Sequence, residues 1–201
     1  MDLYLVRHAE TFGNTGADDS ADPVLTQRGH TQANLLAKRL ASVPFDAIFC
    51  SPLLRAVETA QAVLSRQKRP IPVELLPELM EHQPVPDYCG LPTEKLREVC
   101  PTAVYPDRHA LPQETDEIAL DRARYAIRYV REKCPEGTVL LIAHGQFNTY
   151  LLLAAMGLPK PAQFNFSQRN ACVDRILFFP DGRVKAKLVN DVSHLPEELW
   201  T

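Results

Sequence analysis

The chain has 201 residues, 45% of them hydrophobic, enough for one medium-sized domain whose core needs neither disulfide nor metal to hold it. Lys and Arg number 22 against 25 Asp and Glu, so a net charge of −3 excludes a general attraction to nucleic acid or to an anionic membrane, and any anion site has to be local. The five cysteines match no zinc spacing, the start lacks the basic flank of a signal peptide, and no apolar run approaches the roughly 20 residues of a membrane span; a cytoplasmic chain with reduced thiols is expected.

Leu3-Tyr4-Leu5-Val6 is almost wholly apolar and predicts a strand covered on both faces, ending at Arg7-His8. Residues 11–23, polar and containing Gly and Asp, predict a loop. Thr26 then caps a helix whose apolar positions Ala33, Leu36, Ala37 and Leu40 recur at helical spacing. Residues 47–50 predict a second strand. Ser51-Pro52 reads as a helix start, with the hydroxyl as N-cap and proline at the first helical position, and the helix should reach about residue 66. Residues 70–75 predict a third strand.

Residues 77–112 carry Pro77, Pro84, Pro86, Pro92, Pro101, Pro106 and Pro112, so a proline-rich covering segment is expected there, with one helix near residues 93–99. Residues 114–133 have helix composition, with Ile118, Ala126, Ile127 and Val130 offered for a buried face. Residues 138–143 predict another buried strand, which also ends at a histidine, His144-Gly145, before a helix closed by Gly157 and Pro159. Residues 173–179 and 184–189, around Pro180-Asp181-Gly182, predict a hairpin. The alternation of strands and helices predicts a single domain over residues 1–201: a three-layer α/β/α sandwich with a mostly parallel central sheet.

In such sheets ligands bind beyond the carboxyl ends of the strands, where helix N-termini present free N–H groups. His8, Ser51 with Arg55, and His144 all arrive there if their strands are neighbours, and Arg7 adds a second guanidinium. That set suits a phosphate. The planar guanidinium fork matches phosphate oxygens and spreads the charge that builds during transfer. A neutral imidazole can attack phosphorus with one nitrogen while the other keeps its proton on an acceptor. A carboxylic acid is then needed for the leaving alkoxide. Glu81, after the third strand, is the candidate, because a bound phosphate dianion would favour its protonated form.

Four ordered blocks resemble the histidine phosphatase superfamily, also called the phosphoglycerate mutase-like family. They are Arg7-His8-Ala9-Glu10-Thr11 with Asn14, then residues 25–33 (LTQRGHTQA), residues 51–60 (SPLLRAVETA) and Ala143-His144-Gly145. The resemblance implies that His8 is phosphorylated, that Arg7, Arg55 and His144 grip the phosphoryl group, that Asn14 touches it, and that no metal or other cofactor takes part. It weakens after the acid: where relatives often continue into a Trp-Glu-Gly-like turn, Glu81 is followed by His82-Gln83-Pro84, and Glu78 is the alternative acid.

Other readings stand beside these. Arg55 has Glu58 one turn away as an ion-pair partner, and Asn14 could simply stabilise its loop. His82 either tunes the acid or binds substrate, or is a solvated loop residue; Arg108 and His109 either meet a second anionic group of a substrate or lie in an exposed loop. Asp18, Asp19 and Asp22 read as a solvated loop that would disfavour a highly charged substrate if it covered the pocket. The expected function is a metal-independent phosphomonoesterase acting on a small phosphorylated metabolite, with no nucleic-acid or membrane partner. The alternatives are a cofactor-dependent phosphoglycerate mutase and a non-catalytic phosphate-binding module.

Overall fold

The computed structural model describes residues 1–82, 92–104, 114–159 and 165–201. Its strands are β1 (Asp2–Arg7), β2 (Ala47–Cys50), β3 (Val73–Leu75), β4 (Ala103–Val104), β5 (Thr138–Ala143), β6 (Val173–Phe178) and β7 (Val184–Asp191). They form one sheet in the order β4-β3-β2-β5-β1-β6-β7. The first five of that order run parallel, and the β6–β7 hairpin adds an antiparallel edge beyond β1.

Helices α1 (Gln27–Leu40), α2 (Leu54–Leu64) and α3 (Thr93–Val99) precede α4 (Asp116–Lys133) and α5 (Gly145–Met156). Side chains alternate across a strand, so the central strands supply both faces. Tyr4, Val6, Ile48, Cys50, Leu140 and Ile142 face Leu36, Ala37, Ala56, Val57 and Leu96 from α1 to α3. Leu3, Leu5, Phe49, Val139 and Leu141 face Ala123, Ile127, Phe147 and Leu151 of α4 and α5. This is the expected three-layer α/β/α sandwich, and the near-continuous apolar runs of β1 and β5 are those of strands covered on both sides.

Three local readings are corrected. Helix α2 begins at Leu54 rather than at Pro52, and its N-cap residue Leu53 offers no side-chain cap. Ser51 Oγ reaches only Leu53 N, at 3.3 Å, and its other neighbour is a histidine. Ile118 is 52% exposed, because the buried stripe of α4 runs through Ala119, Leu120, Ala123, Ala126, Ile127 and Val130, one position out of register with it. Within the proline-rich segment, β4 pairs with β3 and extends the sheet, a two-residue strand too short to be legible among prolines.

The loop after His8 is fastened to α1 by its backbone. Thr26 N donates to Glu10 O at 3.0 Å, Gln32 Oε1 accepts from Glu10 N at 2.8 Å, and Thr26 Oγ1 caps α1 by accepting from Gly29 N. A Cβ at Gly29 would lie 2.0 Å from Glu10 O, so only glycine permits this approach. Gly29→Ala is expected to lower stability by about 1–3 kcal/mol, a fall in Tm of roughly 2–12 °C for a chain of this size, read by circular dichroism; an unchanged Tm would show that the approach relaxes freely.

Candidate active site

The order β2-β5-β1 brings the carboxyl ends of three parallel strands side by side, and each delivers a functional group. His8 follows β1 and is 3% exposed. Its backbone is held on both sides: His8 N donates to Ala143 O, and His8 O accepts from Ala171 N and Asn170 Nδ2. Nδ1 lies 2.7 Å from Ala9 O. A carbonyl only accepts, so this contact places the ring proton on Nδ1 and leaves Nε2 with its lone pair. Burial, and then the Arg55 and Arg7 guanidiniums, hold the His8 pKa well below its ordinary value, so the ring is neutral at pH 7.

His144 follows β5, is fully buried, and has its ring centroid 5.2 Å from that of His8. Its Nε2 is 2.8 Å from Ser51 Oγ at the end of β2. That hydroxyl already accepts from Leu53 N, which favours an O–H donated to Nε2 and a proton on Nδ1, a buried atom with no hydrogen-bond partner among the described residues. Burial, then Arg55, His8 and Arg7, push the His144 pKa down as well.

Arg7 lies against the first turn of α5, its Nη1 donating to Gln168 O. A Cβ at Gly145 would meet Arg7 Nε at 2.9 Å, so the glycine lets the guanidinium rest on the helix N-terminus. Arg55, on the first turn of α2, is 9% exposed and donates from Nη1 to Asp22 Oδ1 at 3.1 Å. Both cations and both imidazoles thus border the N-termini of α2 and α5, where backbone dipoles also favour an anion.

Glu81 reaches the same place. Its Oε1 accepts from Phe147 N and from His82 N, each at 2.8 Å, and Oε2 from Gln146 N at 3.4 Å, so its carboxylate sits on the first turn of α5 beside Arg7. Glu78 is partly exposed, and its charge bears on Tyr129, whose hydroxyl donates to Glu74. The backbone of this segment is gripped by Arg122 of α4, which donates to Glu78 O and Met80 O at 2.9 Å and to Glu81 O at 3.4 Å. Arg122 is itself paired with Glu114 through Nε at 3.0 Å and through Nη2, and lies over the Phe147 ring.

The remaining candidates fall differently. Asn14 Oδ1 accepts from Thr11 N, Thr11 Oγ1 and Asn170 Nδ2, which ties its loop to the Asn170 side chain that also holds His8 O. His82 is 4% exposed, with Nδ1 3.4 Å from Glu114 Oε1 and its ring 4.9 Å from that of Tyr150. Arg108 and His109 lie outside the described residues. Glu58 accepts from Leu25 N, and Arg55 pairs instead with Asp22, a residue read from sequence as solvated loop but with only 3% of its side chain exposed. Asp22 thus follows the alternative reading, a loop carboxylate at the pocket, whereas Gln168 and the Arg122–Glu114 pair were missed, because each meets the site from a distant stretch with no motif of its own. Among the described residues no group of three or more His, Cys, Asp or Glu side chains is arranged to hold a metal ion, and no helix is long and apolar enough to cross a membrane.

The profile of the Histidine phosphatase superfamily (branch 1) matches residues 3–192, and the chain belongs to that superfamily. It is 30% identical over 185 residues to the adenosylcobalamin/alpha-ribazole phosphatase of Escherichia coli K12, covering 86% of this chain and 87% of that protein. It is 26% identical over 208 residues to the mitochondrial serine/threonine-protein phosphatase Pgam5 of Drosophila virilis; that match takes in 99% of this chain but 66% of the relative, so the chain spans about two thirds of its length. The alpha-ribazole phosphatase from Shigella flexneri superposes with a TM-score of 0.72 at 28% identity, over 95% of this chain and 96% of that one. The phosphoglycerate mutase from Bacillus anthracis shares the fold, with a TM-score of 0.67 at 22% identity over 96% and 94% of the two chains.

Two outcomes follow from this geometry. Gly145→Ala should force Arg7 off α5 and weaken inorganic phosphate binding by about 1.5–3 kcal/mol, the range for a hydrogen bond to a charged group, measured by calorimetry; unchanged affinity would remove Arg7 from the phosphate site. The lowered pKa values of His8 and His144 mean that the unfolded chain binds more protons than the folded one below about pH 6.5, so their contribution to stability is complete above that pH and is lost as pH falls. Asp174, pushed up to about 6 by burial, works in the opposite sense, so the test is a difference: His8→Gln should remove about 1.4 kcal/mol per pH unit from the acid slope of unfolding free energy, and an unaltered slope would mean that His8 is not held neutral.

Proposed function

We propose that this member of the histidine phosphatase superfamily is a phosphomonoesterase that transfers the phosphoryl group of a small metabolite to His8 and then to water. The observation that carries the reading is the His8 Nδ1 contact to Ala9 O, because it fixes the tautomer whose Nε2 is a nucleophile, in a ring kept neutral by burial between two arginines. A protonated ring would have no lone pair to offer.

The chemistry follows from the arrangement. Nε2 of His8 attacks phosphorus and the bond to the ester oxygen breaks. Arg7, Arg55 and His144 hold the equatorial oxygens, with the N-terminal turn of α5 adding its dipole. Glu81, in its acid form, gives its proton to the departing alkoxide. In the second step the Glu81 carboxylate takes a proton from water, the oxygen attacks the phosphohistidine, the N–P bond breaks, and inorganic phosphate leaves with His8 neutral again. Every role is filled by a side chain, so the reading requires no cofactor. The alpha-ribazole phosphatase relatives support alpha-ribazole phosphate as the first ester to try.

Release of inorganic phosphate from p-nitrophenyl phosphate and a panel of metabolite monoesters, with chelator present, should be abolished in His8→Ala, and rapid alkaline quench of wild type should trap a phosphoryl group on His8. Turnover that survives in His8→Ala would overturn the reading. No turnover of any ester by folded protein would direct attention to phosphoryl exchange between 3-phosphoglycerate and a bisphosphate primer, the mutase alternative.

Glu81→Gln separates the acid from the nucleophile. Phosphorylation of His8 should slow by about 10²–10⁴-fold with alkyl esters, whose leaving groups need a proton, and by far less with p-nitrophenyl phosphate. Equal losses on both substrates would mean that Glu81 only braces α5, and would return Glu78 to consideration.

A further inference from the structure

Helix α2 starts without a cap of its own. Leu53 offers no side-chain acceptor, and Ser51 Oγ is shared with His144. The missing acceptor comes from 32 residues earlier: Asp22 Oδ1 and Oδ2 lie 3.0 and 2.8 Å from Leu54 N, and Oδ1 also takes Arg55 Nη1 at 3.1 Å. The side chain of Asp22 is 3% exposed and that of Arg55 11%, so this pair is shielded from water and its charges are screened little.

The balance of charge around the site gives this contact a meaning beyond packing. Arg7 and Arg55 are cations, His8 and His144 are held neutral, and Glu81 and Asp22 bring negative charge against the same two helix N-termini. The ligands that grip the transferring phosphoryl group are also those that grip the inorganic phosphate left at the end. A pocket with two uncompensated arginines would hold that dianion tightly, and tight binding of a ground state slows turnover rather than helping it.

Resting on the phosphatase reading, we propose that Asp22 is a positioning residue with two effects: it fixes the Arg55 guanidinium at the mouth of α2, and its charge limits how strongly the site retains inorganic phosphate. The first effect is geometric and survives in any side chain that keeps an acceptor near Leu54 N. The second is electrostatic and disappears with the charge. Asp22→Asn separates them, because the amide oxygen still accepts from Leu54 N and Arg55 while the negative charge is gone.

The test measures binding of inorganic phosphate, and of tungstate as a second tetrahedral oxyanion, by isothermal titration calorimetry, with product inhibition measured alongside. Asp22→Asn should bind both anions more tightly, on the order of tenfold, with substrate KM lowered and kcat lowered with it where phosphate release limits turnover. Asp22→Ala should lose Tm and anion affinity together, because the cap and the Arg55 anchor go at once. A purely structural Asp22 makes the opposite forecast for the amide: anion affinity unchanged or weaker in folded Asp22→Asn, and that result overturns the proposal. Should Asp22→Asn fail to fold, Asp22→Ser keeps a short neutral acceptor and carries the same expectation. Anion binding needs no turnover, so tighter binding in a protein that hydrolyses no ester would sink the phosphatase reading and leave the charge role of Asp22 standing.

Discussion

The structure depends on keeping two guanidiniums nearly dry. Moving a cation out of water is costly unless other groups replace its hydration, and Arg7 and Arg55 are both largely buried around the same pair of imidazoles. The fold meets that cost where it is cheapest, at the ends of parallel strands and the starts of helices. The Gln168 carbonyl before β6, the carboxylate of Asp22 and the carboxylate of Glu81 converge there. Burial, and then the same two charges, keep His8 and His144 neutral, so the protonation state that the proposed attack requires follows from placing the rings in a dry site beside the arginines.

Glu81 shows how far such support extends. It lies in an irregular stretch after the 3-10 turn Pro77–Leu79, where no sheet or helix ladder fixes the backbone. Arg122 supplies the missing ladder, donating to three carbonyls of residues 78–81 while Glu114 balances its charge and Phe147 covers its face. Phe147 also donates its N–H to Glu81. The Glu81 carboxylate is therefore clamped between α4 and α5, which pack together on one face of the sheet, and its position follows from the packing of those helices rather than from the loop that carries it.

What was legible in the sequence was local. Residues 3–6 and 138–143 gave away buried strands because both faces are apolar, and Thr26 gave away α1 because its hydroxyl caps the helix it precedes. Arg7, His8, Arg55 and His144 stood out because each adjoins such an element end, and the strand order then brings those ends together. Ser51 misled for a physical reason: its hydroxyl, the obvious cap for α2, is taken up by His144, and the cap comes from Asp22 across a loop. Contacts between stretches far apart in the chain, such as Arg122 to residues 78–81 or Gln168 to Arg7, leave no period or spacing to read. Ile118 failed by a single position, since the buried stripe of α4 is set by its fit to α5 and not by hydrophobicity alone.

The two arginines are also unlike each other. Arg55 shares its charge with a carboxylate at 3.1 Å, whereas the nearest hydrogen-bond partner of Arg7 is the neutral carbonyl of Gln168. A carboxylate does stand behind that residue: Gln168 Nε2 donates to Asp174 Oδ1 at 3.2 Å, and Asn190 N donates to the same oxygen. Burial pushes the Asp174 pKa up to about 6. Arg7 instead has the Glu81 carboxylate beside it on the first turn of α5, whereas Arg55 is in hydrogen-bond contact with its carboxylate. In transfer through an in-line transition state, the guanidinium with the less compensated charge gives the larger stabilisation to oxygens that gain charge. On the proposed reaction Glu81 enters in its acid form, which would leave Arg7 the less compensated guanidinium during transfer and Arg55, anchored by Asp22, the one that orients.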